Sequence, residues 1–271
     1  MYNLAPNTYF SGFSLIGVDA SKTLQGQLTN DVENIKNGRG IKALLCNIKG
    51  RVEVIVWLVK HDSQHFTLLV PTDNAGTLTG RLAPYVAFSK SALIPLDLSN
   101  HSIAYPYQIV APQDTITSYQ MDDIALLAPE HLKQTQEACP ASIETFHSHR
   151  VQAGLLQLLP EQSGVYTPQA LSLDHLGYIS FNKGCYMGQE IIARLHYKGQ
   201  SKHQLALLSG AQNITSEAVI QSELGDPIGT IVDATSASSG LYLASIRTDA
   251  TASLTYRVQE HSLILIRLFN K

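Results

Sequence analysis

The sequence predicts an α+β protein that ends in a small β-barrel, on three observations. Strand-like and helix-like stretches alternate from the amino terminus to about residue 90, with turn residues between them. From Gln204 onward the chain reads as short strands with turns at Gly225-Asp226-Pro227 and at 236–240, the pattern of a small barrel. At 271 residues, 44% hydrophobic and 15% charged, it is long enough for two or three modest domains with their own cores. The expected division is 1–90, 91–199 and 200–271.

Residues 10–16 alternate and read as a strand, which Gly17 breaks. Asp19 is placed to cap a helix over 20–30, where Leu24 and Leu28 share a face. Asn37-Gly38-Arg39-Gly40 is a turn. Strands are expected over 42–47 and 51–61, about Lys49-Gly50, and a third over 66–71. Thr72-Asp73-Asn74 can cap a helix over 74–83. Strand character resumes over 91–109 and 119–128. A short helix follows over 129–138, then a second helix or turn over 146–154 stopped by Gly154. The long polar loop 160–178 is of a length usually functional or mobile inside a compact domain.

Composition removes several function classes. A net charge of −3 without a run of lysine or arginine gives no general pull toward nucleic acid, so no direct nucleic-acid binding is expected. Cys46, Cys139 and Cys185 are odd in number and far apart, which argues against a disulfide framework or a cysteine zinc site. The amino terminus lacks the basic and apolar segments of a signal peptide, and apolar strings such as 54–59 are too short to span a bilayer. A soluble, reducing compartment, the cytoplasm, is expected, with no membrane partner. Phosphate-loop, dinucleotide-loop, H-E-x-x-H and G-x-S-x-G patterns are absent. His147 and His149 lack a third ligand nearby in sequence, and no metal site is expected.

The most informative stretch is Lys183-Gly184-Cys185-Tyr186-Met187-Gly188-Gln189-Glu190. Gly188 can end a loop, and Gln189 and Glu190 suit a first helical turn. A thiol beside a lysine and a helix N-terminus is biased toward thiolate. A small cysteine buried behind glycines fits the same residues.

Read as written, the octapeptide resembles the K-G-C-Y-x-G-Q-E signature of the YgfZ-type folate-binding proteins, relatives of the glycine-cleavage T-protein, an aminomethyltransferase. Other segments resemble that family in the same order: Leu24-Gln25-Gly26-Gln27-Leu28-Thr29-Asn30-Asp31-Val32, then Leu44-Leu45-Cys46-Asn47-Ile48-Lys49-Gly50-Arg51-Val52, Pro168-Gln169-Ala170 and Gly225-Asp226-Pro227-Ile228-Gly229.

The resemblance implies a ring of three domains, two α+β folate-binding subdomains closed by the C-terminal barrel, holding tetrahydrofolate or a derivative. It implies support of iron–sulfur enzymes, including those that modify transfer RNA, as the function, with such enzymes as partners. Cys185 is then the reactive group at the rim of the folate cavity, tuned by Lys183, Glu190 and Arg194. Phe10 and Phe146 are the large aromatics near the ligand, and Asn30, Glu53, Gln152, Tyr186 and Gln189 complete the ligand contacts. A departure stands at Lys202-His203, where the family commonly has Lys-Arg. Two more concern chemistry. The T-protein places an aspartate after its Gly-rich turn, and here Glu53 is the only carboxylate of 50–55; its R-x-E-x-G glutamate is replaced by Gln152. Folate binding is therefore expected and aminomethyl transfer is not. The alternatives are an aminomethyltransferase using Glu53, and a scaffold that holds a protein partner without folate.

Overall fold

The structure is a computed structural model that describes residues 2–106, 119–120, 124–128, 138–234 and 240–269. The helix expected over 129–138 falls almost wholly outside the described residues, as does the hairpin tip 236–239.

The first sheet is antiparallel, formed by β2 (Phe10–Gly17), β3 (Arg39–Cys46), β4 (Val52–Lys60), β5 (His65–Pro71) and β6 (Ser91–Leu96), in the order β3-β4-β5-β2-β6. Helices α1 (Ala20–Gln27) and α2 (Ala75–Ala87) cover one face. Val54, Val56 and Leu58 of β4 pack with Leu24, Leu78 and Leu82 on that side. Ile55, Trp57 and Val59 point the other way, into a cluster shared with the rest of the molecule. Burial of both faces accounts for the nearly continuous apolar run of β4.

The second sheet has the order β10-β1-β7-β9-β8, from β1 (Tyr2–Pro6), β7 (Ser102–Pro106), β8 (Tyr119–Gln120), β9 (Ala125–Leu127) and β10 (Ala138–Pro140), with only β10 and β1 parallel. Residues 91–96 pair with 12–17 in the first sheet, and 2–6 joins the second. The backbone groups on that side of β2 find their partners in β6, the strand delivered by α2.

Helix α1 stops at Gln27, three residues before its expected end. Leu28 is already extended and bridges Leu45, and the Thr29 amide donates to the Leu44 carbonyl at 3.0 Å. Pairing with β3 overrides helical propensity there. Asp19 stands at the N-cap position without capping, because its carboxylate accepts from the Lys90 amide at 2.8 Å. Helix α3 (Ile143–Gln152) begins earlier than expected, capped by Ser142, whose hydroxyl accepts from the Thr145 amide. Helix α4 (Gln189–Lys198) follows Gly188.

The C-terminal strands β11 (His203–Gly210), β12 (Val219–Gln221), β13 (Pro227–Ala234), β14 (Leu241–Arg247), β15 (Thr255–Val258) and β16 (His261–Leu268) close into a barrel, as expected. Leu208, Ile220, Ile231, Ile246 and Tyr256 fill it. Leu205, Leu207, Val232 and Leu243 of the same strands pack into the shared central cluster. Among the described residues no helix is long and apolar enough to cross a membrane.

Candidate functional site

The segments that carry the family resemblance meet in space. Thr29, fully buried, donates its hydroxyl to the Tyr178 carbonyl at 2.7 Å and accepts from the Leu44 amide at 2.9 Å. One side chain thus ties the end of α1 to β3 and to the segment that leads into the cysteine loop. Asn30 donates to the carbonyls of Lys42 at 2.7 Å and Gly177 at 2.9 Å, and its own oxygen receives the Asp31 amide. Its hydrogen bonds are internal ones.

Lys183 projects away from the loop it opens. Its ammonium donates to three carbonyls at the end of α1, those of Gln25 (2.7 Å), Leu28 (2.6 Å) and Asn30 (2.9 Å). A helix C-terminus exposes unpaired carbonyls and a negative dipole end, and Lys183 satisfies both. Burial draws its pKa down to about 8, with Asp31 and Glu33 opposing the shift. These bonds take all three N–H groups of Lys183, the residue that the resemblance assigns to tuning Cys185.

Cys185 is exposed. It lies in an open depression of about 470 Å³ lined by Gly26, Ile48 and residues 185–190. Two glycines bring these elements together. Gly188, at φ +78°, would place a Cβ into the Asn47 carbonyl oxygen and 2.9 Å from the Gly50 Cα. Gly50, at φ +65°, would meet the Gly188 carbonyl oxygen at 3.1 Å. The β3–β4 turn and the start of α4 touch backbone to backbone, which only glycine permits at these angles. Glu190 and Arg194 are exposed one turn apart on α4, and Gln189 is half-buried, its amide bonded to the Tyr186 carbonyl. The expected helix start is thus present, and these side chains face outward beside the loop.

Tyr186 turns inward. It is 7% exposed, has the Lys183 ammonium 5.1 Å above its ring, and joins the central cluster that also holds Cys46. Burial, then the neighbouring Cys46, raises its hydroxyl pKa. Tyr186 therefore links the exposed thiol to the interior.

That interior is aromatic. Phe10 and Phe146, 136 positions apart, come within 6.5 Å between ring centroids. Phe10 stands edge-on to Tyr9 at 4.6 Å and to Trp57 at 5.1 Å, and Phe146 packs on Tyr9 at 5.3 Å and Tyr105 at 5.4 Å. The hydroxyls of Tyr9, Tyr105 and Tyr186 and the indole N–H of Trp57 are buried and find no hydrogen-bond partner among the described residues. Burial raises the Tyr9 pKa and pushes that of Tyr105 to about 12. Neutral donors next to flat apolar walls are what a planar heterocycle with a polar edge requires.

Arg150, which the sequence reading did not single out, forms one wall. Its guanidinium lies 5.4 Å from the Tyr9 ring and pairs through both terminal nitrogens with Asp233 of the barrel, 3.0 Å for one of the bonds. The Gln157 amide also donates to that carboxylate, at 2.6 Å. Position alone could have flagged it, since Arg150 opens the R-x-Q-x-G stretch; Asp233 carried no such signal. Gln152, at the end of α3, is exposed, on a different side of the helix from buried Phe146 and Arg150. Glu53 is the extra residue of a β-bulge, between the pairs Leu45–Val54 and Cys46–Val52, and its carboxylate meets Arg81 at 2.6 Å. His147 and His149 lie on α3 against Tyr9 and Tyr105. Among the described residues no group of three or more potential ligands is placed to hold a metal.

No protein-family model matches the chain. An uncharacterised protein of Haemophilus influenzae is 30% identical over 275 residues, covering 96% of this chain and 95% of that one. The tRNA-modifying protein YgfZ of Colwellia psychrerythraea is 28% identical over 257 residues, covering 82% and 78%. Among solved structures, the glycine cleavage system aminomethyltransferase T from Bartonella henselae superposes with a TM-score of 0.75, at 16% identity, over 99% of this chain and 86% of that one. Likeness along most of its length, on this shared fold, places the chain in the YgfZ-type family of T-protein-like proteins.

Proposed function

We propose that this protein binds a reduced folate in its central aromatic cluster and supports iron–sulfur enzymes, among them enzymes that modify transfer RNA, with Cys185 as the reactive group. The observation that carries the reading is the set of unpartnered buried donors, on Tyr9, Trp57 and Tyr105, around the Phe10–Phe146 pair. Orphaned polar atoms in an apolar interior are costly, and a pterin edge would relieve that cost. When bound, a reduced folate supplies one-carbon or reducing chemistry at its ring nitrogens. The chain's own part is to offer the ring the apolar faces of Phe10 and Phe146, orient it by the tyrosine and indole donors, and exclude water. The relatives' name, tRNA-modifying protein, favours the cellular role.

Aminomethyl transfer draws less support. Its candidate base, Glu53, is held by Arg81, and Gln152 faces solvent. A calorimetric titration with tetrahydrofolate under anaerobic, reducing conditions tests the proposal. Saturable one-to-one binding that weakens in Tyr9→Phe and Phe146→Ala upholds it. Absence of binding in a folded protein refutes the folate part and leaves the scaffold alternative.

A further inference from the structure

We propose that a second cavity, whose lining includes none of Tyr9, Phe10, Trp57, Tyr105 and Phe146, binds a phosphate monoester with an apolar body. It lies where the β3–β4 turn, the 165–170 segment, the end of α4 and the barrel strands β13 and β14 meet. It holds about 540 Å³ and is lined by residues that include Arg51, Thr167, Lys202, His203, Thr230 and Ser245. That volume is of the size small-molecule sites occupy, ~300–1,000 Å³.

Positive charge without a counter-charge gives the cavity its chemistry. Arg51 and Lys202 are both exposed, so a ligand can reach them from water. The Arg51 guanidinium donates to the carbonyl of Val165, also on the wall, which holds it at the cavity and leaves its other N–H groups for a ligand. Among the described residues neither cation pairs with a carboxylate, and none of those lining the cavity is acidic. Burial first, then Arg247, lowers the His203 pKa, so at neutral pH its imidazole adds a hydrogen-bonding group rather than a third charge. Two uncompensated cations on one wall, in a chain of net charge −3, call for a doubly charged anion.

The hydroxyls select phosphate, and the rest of the wall selects an apolar body. Thr167 Oγ1 accepts from the Ala170 amide at 3.3 Å, so its O–H is left to donate. Thr230 and Ser245 face each other across β13 and β14. The Ser245 hydroxyl donates to the Ala170 carbonyl at 2.9 Å, which leaves Thr230 as the hydroxyl donor of the barrel wall. A fork-shaped guanidinium, an ammonium and hydroxyls from separate elements match three phosphate oxygens better than two carboxylate ones. Val165, Tyr166 and Leu195 supply the apolar surface. The Lys202-His203 step, where the sequence departs from the family pattern, thus has a place on the wall of this cavity.

The test is an amide-resolved NMR titration of the full chain, in a buffer free of phosphate, with phenyl phosphate, inorganic phosphate, benzoate and benzyl alcohol. Phenyl phosphate should bind saturably, about tenfold or more tighter than inorganic phosphate or benzoate, and benzyl alcohol should not bind. The shifts should be confined to the neighbourhood of Arg51, 165–170, 200–203, 229–230 and Ser245. Arg51→Gln and Lys202→Gln, both at exposed positions, should each weaken binding about tenfold, the effect of removing one charge-assisted bond. Either variant decides the matter if the other does not fold. Tyr9→Phe and saturating tetrahydrofolate should leave binding unchanged, which separates this site from the folate reading. Binding that does not saturate, that any of the three control compounds equals, that a folded Arg51 or Lys202 variant keeps in full, or that tetrahydrofolate displaces overturns the proposal.

Discussion

Replacing Asp233 by alanine tests how the barrel is fastened to the aromatic site. Asp233 is 5% exposed and Arg150 3% exposed, so the alanine leaves a guanidinium in the interior without its counter-charge. It also strips the Gln157 amide of its acceptor. Arg150 keeps weaker partners, the Leu155 carbonyl at 3.2 Å and His147 Nδ1 at 3.1 Å, which do not neutralise it. Breaking a buried pair from one side costs ~3–5 kcal/mol, and an unpaired buried amide costs ~1–3 kcal/mol alone. These losses overlap, and about 4–5 kcal/mol is the expected total. At ~2–4 °C per kcal/mol for a chain of this size, the midpoint should fall by about 8–20 °C.

The assay is chemical denaturation followed by circular dichroism and by the fluorescence of Trp57, the single tryptophan of the chain, which stands in the aromatic cluster itself. The double variant Arg150→Met/Asp233→Leu should recover most of the loss, because no charge then remains to be desolvated. Asp233→Ala costing under about 1 kcal/mol, or a double variant as unstable as the sum of the single ones, would refute the reasoning. Folate affinity should fall with the fluorescence change, since Arg150 backs the Tyr9 ring.

Further predictions concern the cysteine loop. Cys185→Ala removes an exposed side chain and should change stability by less than about 0.5 kcal/mol while abolishing function in a complementation assay; a marked loss of thermal stability would make the cysteine structural. Gly188→Ala should cost at least about 2 kcal/mol in a denaturant titration, from its positive φ and the Asn47 overlap, whereas Gly26→Ala, with open space at its Cβ, should gain about 0.5–1 kcal/mol. Lys183→Met should cost about 2 kcal/mol at neutral pH through three lost bonds to the end of α1. Burial lowers the Lys183 pKa from 10.5 to about 8, so between these values the unfolded chain binds more protons and stability should rise with pH. Denaturant midpoints across that window should show the rise in the parent and its loss in Lys183→Met.

Elements whose pattern is local were legible, and those decided by distant partners were not. The β4 strand, the turn at Lys49-Gly50 and the barrel follow from apolar runs and turn residues that act over a few positions. The end of α1 does not, because Leu28 and Thr29 leave the helix for contacts with Leu45, Leu44 and Tyr178 that no window around residue 28 contains. The Arg150–Asp233 pair spans 83 positions and ties α3 to the barrel, and nothing in either neighbourhood announces it. Likeness to a family located the octapeptide without telling its side chains apart, and the structure does. Lys183 closes a helix, Tyr186 fills the interior, and Gly188 permits a backbone approach, so three of the motif's positions have structural duties. Those duties converge on holding one thiol at the surface, over Gly26 and Ile48, with no structural task of its own in view. A frame this firmly bonded around an exposed cysteine is the physical argument that favours the proposal of Cys185 as the reactive group.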